Sequence, residues 1–336
     1  MSDLPLVGAT SREYVEKMQS AGIRVVPGSQ GTYWTVSGAV IRRLPTFHTA
    51  KPDPSEVDEV LRSTGSLVAA YLTEPDDDHA ANAWLYLCAS PDYSLGALPA
   101  PMRRNLRRAS HELNIAPLTA EELLAHGARA FCDTRRRTGL DDGTRAGFRN
   151  YFTHRGRLDR PGRFYLGAWR GDQLAAFLTV LHLDDWVELG SFSMDATLRC
   201  RPNDALLYTA LSHYIGGGHC RVASFGLSSL QARSNVAGLH RFKKKVGFHP
   251  RAVHRAFVLH PSARPFSNRL TLSAAHCLVN GALWLRPRDR RLKKLGGVLA
   301  CMRGATWMMQ AAERDCVPRP SRWAGTFALR DVTIGR

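Results

Sequence analysis

The chain has 336 residues, of which 44% are hydrophobic, so it holds enough apolar material for two domains or one duplicated fold and is not expected to be disordered. Forty-six Lys and Arg residues against 29 Asp and Glu residues give a formal net charge of +17. This charge attracts polyanions, whether nucleic acid, a phosphate-bearing substrate or anionic lipid, without choosing among them.

The seven cysteines are scattered and form no C-x-x-C pair, which argues against a disulfide framework and against a zinc site. We therefore expect a reducing compartment and no metal. The N-terminal sequence lacks a basic segment followed by an apolar one, and no run approaches the roughly 18 apolar residues of a membrane span. These features predict a soluble, cytoplasmic protein.

The first ninety residues predict strands and one helix but carry no recognisable chemistry. Residues 31–40 have a strand-like pattern, and "PSEVDEVLRS" predicts a helix capped by Ser55 and Asp58. Two apolar runs, "SLVAAYL" and "AWLYLCA", flank the acidic "EPDDDHA". This arrangement predicts a hairpin over residues 66–89.

Residues 99–113 predict an amphipathic helix with a basic side. Four arginines share that side without an interspersed acid: Arg103, Arg104, Arg107 and Arg108. Because arginine matches phosphate in a bidentate way, the stripe is either a solvated face or a polyanion contact. A second helix is predicted over residues 119–138, where cations near the C-terminus suit the helix dipole.

The most regular stretch begins at residue 163, where three apolar segments joined by "RGDQ" and "HLDD" predict a buried antiparallel meander. Pro202, Asn203 and Asp204 then mark the start of a helix that ends at three glycines. "RVASFGL" predicts a short strand, "HRFKKKVGF" the end of a helix, and "HPRAVHRAFVLHP" a final strand.

A helical wheel separates the three consecutive lysines of "GLHRFKKKVGF". Three residues form the buried stripe of this helix: Leu239, Phe242 and Val246. Lys243 lies beside that stripe, which makes it the candidate for chemistry. Lys244 and Lys245 point away, so we expect them to be solvated or in long-range contact with a polyanion.

Residues 262–336 are strongly basic, with fourteen Lys and Arg residues against four acids. They contain two possible amphipathic helices, "LTLSAAHCLVNGALWL" and "LKKLGGVLACMRGATWMM", before a Pro- and Arg-rich tail. Two interpretations stay open: the helices pack on the main body, or they lie on an anionic membrane surface.

The order of elements over residues 163–260 resembles the second half of the GNAT acyltransferase fold. "FKKKVG" at residues 242–247 resembles the F-K-x-x-F-G element of the FemAB-like branch, in which two GNAT-like folds sit in one chain. "DYSLGALPAPMRRNLRRASHELNI" at residues 92–115 is similar to the segment that links the two halves in those proteins.

The resemblance implies an α+β (α/β) fold class, with a GNAT-like mixed, mostly antiparallel sheet flanked by helices. It also implies three parts: a degenerate N-terminal GNAT-like half over residues 1–115, a C-terminal acyltransferase half over residues 116–261, and a basic helical extension over residues 262–336.

The activity that the resemblance implies is acyl transfer from acyl-CoA to an amine of a sugar, amino acid or peptide. An aminoacyl-tRNA donor is the alternative, which the Arg103, Arg104 and Arg107 side of the helix would serve by binding the RNA backbone. A non-catalytic binder of nucleic acid or anionic glycan on the same fold is a third hypothesis. The acceptor and the oligomeric state are not predicted.

The resemblance places the donor pyrophosphate where strand residues 193–195 lead through "ATLRCRPND" into the helix that starts near Asn203. Arg199 and Arg201 would supply charge there, and the N–H groups of Asp204 and Ala205 would supply directed donors. The turn departs from the Q/R-x-x-G-x-G/A pattern of acetyl-CoA enzymes, since "RCRPND" contains no glycine.

The resemblance also implies roles in catalysis. Lys243 would be the F-K lysine, suited to stabilising an oxyanion or a phosphate. Asp195 and Asp204 are candidate bases for the amine, although both also suit turns and helix caps. Phe242 stands in the helix where many GNAT enzymes place a tyrosine acid, and the neighbouring His240 is interpreted as structural.

Overall fold

The computed structural model describes residues 8–138, 143–229, 236–286 and 289–303. The described helices are α1 Ser11–Ser20, α2 Pro54–Thr64, α3 Ala100–Glu112, α4 Ala120–His126, α5 Ala128–Arg137, α6 Arg145–Thr153, α7 Pro202–Leu211, α8 Val236–Val246, α9 Arg269–Leu285 and α10 Arg290–Met302. The described strands are β1 Val25–Pro27, β2 Tyr33–Ser37, β3 Val40–Leu44, β4 Val68–Thr73, β5 Ala83–Cys88, β6 Asn114–Pro117, β7 Arg163–Arg170, β8 Gln173–Leu183, β9 Trp186–Ser193, β10 Val222–Leu227 and β11 His249–Leu259.

The strands form one sheet in the order β1-β2-β3-β4-β11-β5-β10-β9-β8-β7-β6. Parallel pairing joins β3 to β4 and β9 to β10, and the other described neighbours run antiparallel. The predicted fold class, a mixed and mostly antiparallel sheet flanked by helices, is therefore confirmed. The division of the chain after residues 115 and 261 stays a prediction.

The helices cover the sheet in separate groups. Helices α3, α7 and α8 contribute to the largest apolar cluster, which includes Met102, Leu207 and Val246 around the central strands. Helices α4, α5 and α6 pack an aromatic-rich cluster on β7 and β8, while α2 covers β2, β3 and β4. The largest apolar cluster therefore packs on the central strands of the sheet.

The predicted hairpin over residues 66–89 is wrong, because β11 lies between β4 and β5. Residues 254–259 of β11 pair with β4, and residues 249–253 pair with β5. The sequence pattern of an apolar run, a polar loop and a second apolar run is the same whether the two strands pair directly or leave room for a third. A strand from late in the chain therefore joins the first strands to the rest of the sheet.

Two local predictions near helix ends also change. Asp53, rather than Ser55 and Asp58, caps α2, because its Oδ1 accepts from the Ser55 N–H at 2.7 Å. The helix predicted over residues 119–138 is two helices that meet at Gly127, where an added Cβ would lie 2.7 Å from the Leu123 carbonyl oxygen. The predicted meander of β7, β8 and β9 is confirmed in its pairing.

The C-terminal extension forms the helix pair α9 and α10, joined through an apolar cluster that includes Val279, Leu283 and Leu299. Helix α10 also packs against β11. Within the described residues, no helix has the length and apolar content needed to cross a bilayer. The tail predicted beyond residue 303 lies outside the described residues.

Candidate active site

Strands β9 and β10 pair at one end only and then separate. Their parallel register joins residues 222–224 to residues 186–188. Beyond that point β9 continues along β8 to Ser193, and β10 continues along β5 through a register shift between Ser224 and Leu227. We call the space between residues 189–193 and 225–227 the β9–β10 opening. Along this opening, the backbones of β9 and β10 do not pair with each other.

Gly226 provides the backbone conformation that β10 needs at this point. Its φ is +67°, and its N–H donates to the Ser224 Oγ at 3.1 Å. An L-residue with a side chain rarely adopts such a φ, even though an added Cβ here would meet open space. The glycine in "RVASFGL" therefore serves the strand geometry and not close packing.

The start of α7 lies beside the open end of β9. The Asn203 Nδ2 donates to the Oγ of the buried Ser193 at 3.0 Å, which ties the first turn of α7 to the last residue of β9. The glycine-free turn reaches the left-handed conformation through Arg201, whose φ is +59°. Arg199 and Arg201 are both exposed at this turn, so their charges stand where α7 begins.

One expected donor is not available at this turn. The Ala205 N–H donates to the Arg201 carbonyl at 3.2 Å, in the first hydrogen bond of the helix. The expectation of a free Ala205 N–H is therefore wrong, because Arg201 and not a later residue is the N-cap. The Asn203 Oδ1 is buried and has no hydrogen-bond partner among the described residues.

Asp204 is a buried carboxylate that accepts two hydrogen bonds. Its Oδ2 accepts from the Asn105 Nδ2 and from the Lys245 Nζ, both at 2.7 Å. It occupies the third position of α7 and does not act as the side-chain cap. The expectation that Lys245 is solvated is wrong, because Lys245 forms an ion pair with the buried Asp204. A helical wheel of α8 cannot show this contact, since Asp204 lies on another helix.

Asp195 begins the short 3₁₀ turn that follows β9 and is about half exposed. Its carboxylate pairs with the Arg137 guanidinium, and its own N–H donates to the Asp133 Oδ2 at 3.0 Å. Arg137 also donates to the Ser193 Oγ at 3.0 Å. The last turn of α5 therefore fixes the end of β9 and the Asp195 carboxylate together.

Lys243 is the buried cation of α8. Its Nζ donates to the Phe225 carbonyl at 2.9 Å and to the Leu227 carbonyl at 3.4 Å, both in the part of β10 that has left β9. The same atom lies 4.0 Å from the centroid of the Tyr86 ring. Burial, and secondarily the charge of Arg255, lowers the pKa of Lys243 to about 7. An ammonium group has three N–H donors, and these two carbonyls use two of them.

Arg255 on β11 is a second buried cation, which sequence reasoning missed. Its Nη2 donates to the Ser228 carbonyl at 2.8 Å, directly after β10, while its Nε is buried without a partner among the described residues. Burial lowers the pKa of Arg255 to about 10. The signal was present in the sequence, because strand alternation places Arg255 on the same side as the buried Val253.

The residues around Lys243 are aromatic. Tyr86 Oη lies 2.9 Å from the Nδ1 of the buried His240, in agreement with a structural role for this histidine. Phe242 packs edge-on to Phe225, with ring centroids 6.4 Å apart. Phe242 therefore packs on the same residue whose carbonyl accepts from Lys243.

Gly247, which ends the "FKKKVG" element, has a geometric explanation. The N–H groups of Gly247 and Phe248 donate to the Lys244 and Lys243 carbonyls and close α8 with a Schellman arrangement. The φ of Gly247 is +111°, and an added Cβ would lie 2.6 Å from the Tyr93 ring. The glycine therefore allows Tyr93 to pack over the end of the helix that carries Lys243.

The predicted basic side of α3 is only partly available to a ligand. Arg103 donates to the Leu98 carbonyl at 2.6 Å, and Arg108 pairs with Glu112. Arg104 and Arg107 are exposed. Asn105 lies between them in sequence and contacts Asp204, so α3 borders the start of α7. Among the described residues, no group of three or more His, Cys, Asp or Glu side chains could hold a metal ion.

Three solved structures align with most of this chain. FemX aligns over 76% of this chain and 93% of its own, with a TM-score of 0.50 at 10% identity. The C-terminal domain (DUF2156) of a putative lysylphosphatidylglycerol synthetase from Agrobacterium fabrum covers 80% and 91%, with a TM-score of 0.48 at 13% identity. A GCN5-related N-acetyltransferase from Kribbella flavida covers 76% and 96%, with a TM-score of 0.40 at 13% identity.

A scan against family models and a search of curated proteins find no match. At 10% identity, the likeness to FemX shows a shared fold and no more. In the described residues, β9 separates from β10, α7 begins beside that separation, and α8 follows β10. The chain therefore shares the fold of FemX over about three quarters of its length.

Proposed function

We propose that the chain is an N-acyltransferase that moves an acyl group from acyl-CoA to an amine of a sugar, amino acid or peptide. The observation that carries the proposal is the Lys243 Nζ, which is buried, bonded to two carbonyls of β10 beside the β9–β10 opening, and left with one N–H. A cation without a carboxylate partner in the described residues favours a site for developing negative charge.

In the proposed reaction, the amine nitrogen attacks the thioester carbonyl carbon and forms a tetrahedral oxyanion. The remaining N–H of Lys243 donates to that oxyanion. The carbon–sulfur bond then breaks, the nitrogen loses one proton, and the leaving thiolate gains one. Asp195 is the candidate base because its carboxylate is about half exposed. Asp204 is buried with two donors, so we assign it a positioning role for α7.

We place the donor pyrophosphate at the start of α7. Unpaired N–H groups and the dipole at a helix N-terminus favour an anion, and Arg199 and Arg201 add positive charge at the same turn. Asn203, which is held on Ser193, would keep this turn next to the β9–β10 opening. The acyl group of a donor bound there would extend along β9 towards Lys243.

An aminoacyl-tRNA donor is the second candidate, and one observation favours it. Arg104 and Arg107 are exposed on α3, which is tied to α7 by the contact between Asn105 and Asp204. Cations in this position would extend the positive surface around α7 beyond what a CoA pyrophosphate needs, and each phosphate contact with RNA would add to the salt dependence of binding.

Thermal shift separates the two donors. Coenzyme A, acetyl-CoA and longer acyl-CoAs should raise the melting temperature if the first proposal holds, because a ligand selective for the folded state stabilises it. No shift with any of these, together with tRNA binding that weakens steeply with salt, would favour the second candidate. A matched pair of variants, Arg201→Gln and Arg104→Gln, locates the effect at α7 or at α3.

A further inference from the structure

Helix α9 has an apolar side that faces outwards. One side of the helix, with Val279 and Leu283, packs on α10. The opposite side, which we call the α9 outer face, comprises Leu270, Ala274, Leu278, Gly281, Trp284 and Leu285. At 100° per residue these six fall within about 120° of one another. Leu270 is 82% exposed, Leu278 75% and Trp284 78%.

Large apolar side chains in a row are unusual on a surface that is exposed to water. Scattered exposed leucines need no explanation, but a row of large apolar side chains along one helix indicates a contact. The inner side of α9 is covered by α10, and α10 packs on β11. Within the described part of the chain, the outer face of α9 is exposed.

The charges around this face are positive. Helix α9 carries no Asp, Glu, Lys or Arg between Arg269 and Arg286. Exposed cations follow it directly at Arg286, Arg291 and Lys294. The single acid of residues 262–303 is Asp289, whose Oδ1 accepts from the Arg291 N–H at 2.8 Å as the cap of α10. Helix α9 is therefore apolar along its outer face, and the chain that follows it carries exposed cations.

We propose that α9 docks on an anionic phospholipid bilayer, with its outer face in the boundary between headgroups and acyl chains. A helix of 17 residues is about 25 Å long, enough to lie along the surface, and the described helices include none suited to crossing. Trp284 would sit at the interface, where indole rings are favoured, and Arg286 and Arg291 would contact lipid phosphates.

An anionic surface fits these charges better than a protein groove does. A protein partner would need to bury the same leucines and also supply several acidic side chains at the end of α9. A bilayer with anionic lipid provides both an apolar layer and a dense layer of negative charge at the required depth. This inference concerns where the protein binds and does not depend on the acyl transfer proposed above.

Sedimentation of the full chain with vesicles tests the proposal. The probes are vesicles of phosphatidylcholine alone and of phosphatidylcholine mixed with phosphatidylserine. We expect binding to the mixed vesicles that weakens as salt rises, and little binding to phosphatidylcholine. Leu278→Gln should reduce the vesicle partition constant at least about tenfold, the scale of burying one leucine. Leu95→Gln, at another exposed leucine outside α9, is the matched control and should bind as the wild type does.

Three results would overturn the proposal: no binding to the mixed vesicles, equal binding to both vesicle types, or unchanged binding by Leu278→Gln. A dimer in sedimentation velocity that Leu278→Gln dissociates would show instead that a second copy of this chain covers the face. The far-ultraviolet circular dichroism melt of each variant shows whether it is folded, and Leu285→Gln repeats the test at a second position.

Discussion

The Lys243 Nζ lies 2.9 Å from the Phe225 carbonyl oxygen, in the part of β10 that has separated from β9. The contact joins the helix that carries the cation to the strand whose departure creates the β9–β10 opening. A buried lysine that bonds only to carbonyls gains no ion pair to offset the loss of hydration, so its environment favours the neutral form.

The stability of the protein should depend on pH through Lys243. Its pKa is about 7 in the folded chain, against 10.5 as the ordinary value. The unfolded state therefore binds more protons between pH 7 and about 10, and this group makes the free energy of unfolding rise with pH by at most about 1.4 kcal/mol per pH unit. Urea unfolding of the wild type minus that of Lys243→Met should show this rise. Parallel pH curves for the two proteins would contradict it.

Activity should fall as Lys243 loses its proton, whereas the contribution of this group to stability rises. The proposed role needs the protonated form of Lys243, so kcat/KM should fall as pH rises through about 7. Arginine keeps its charge in this range, and Lys243→Arg should move the fall to higher pH if it retains activity. A profile that is flat from pH 6 to pH 9 in the wild type would exclude the role as a charged donor.

The contacts of Asp204 predict that substitutions of two neighbouring lysines differ in their effect on the free energy of unfolding. Lys245→Met leaves the buried carboxylate with Asn105 as its remaining described partner, and the free energy of unfolding should fall by about 1–3 kcal/mol. Lys244→Met, at an exposed position, should have almost no effect. Adding Asp204→Asn to Lys245→Met should recover part of the loss because the unpaired charge is removed. Equal stability of the two lysine variants would contradict the ion pair.

Arg201 combines backbone strain with a proposed function. Its left-handed conformation costs about 1 kcal/mol or more for a residue with a side chain, and glycine avoids that cost. Arg201→Gly should therefore raise the melting temperature and weaken acyl-CoA binding. Arg201→Gln should weaken binding equally while keeping the strain. A glycine variant that binds the donor as tightly as the wild type would argue against a phosphate contact by Arg201.

Gly247 predicts a clash that can be measured apart from backbone strain. Gly171→Ala, at a φ of +56° with open space around the added Cβ, measures the conformational cost alone. Gly247→Ala adds contact with the Tyr93 ring at 2.6 Å and should lower the free energy of unfolding by more than the roughly 1 kcal/mol expected from φ alone. Similar losses in the two variants, measured by urea unfolding, would show that the ring moves away freely.

Local patterns predicted the elements that depend on local physics. The apolar periodicity of α3 and the alternation and turns of the β7, β8 and β9 meander were sufficient, because each is set within the segment. The wheel also placed Lys243 at the edge of the buried stripe, and the structure buries it there. Pairing across the chain was different: nothing in residues 66–89 indicates that β11 enters between β4 and β5.

The site residues that sequence reasoning missed have partners far away in the chain. Lys245 is placed by Asp204, which lies on another helix, and Arg255 is placed by the Ser228 carbonyl after β10. A charge on the buried side of a strand was visible for Arg255, and only the assembled sheet brings it near Lys243. Sequence patterns reveal that a side chain is buried, whereas its partner is set by the tertiary fold.

The most direct test of the proposed function is acyl transfer by Lys243→Met. Mass spectrometry would follow transfer from acyl-CoA and from aminoacyl-tRNA to a panel of sugar, amino acid and peptide amines, with Lys244→Met as the matched control. We expect transfer by the wild type and by Lys244→Met, and a loss of about a hundredfold or more in kcat for a folded Lys243→Met, as for an oxyanion donor. Wild-type activity in Lys243→Met, or no transfer from either donor by the wild type, would contradict the account.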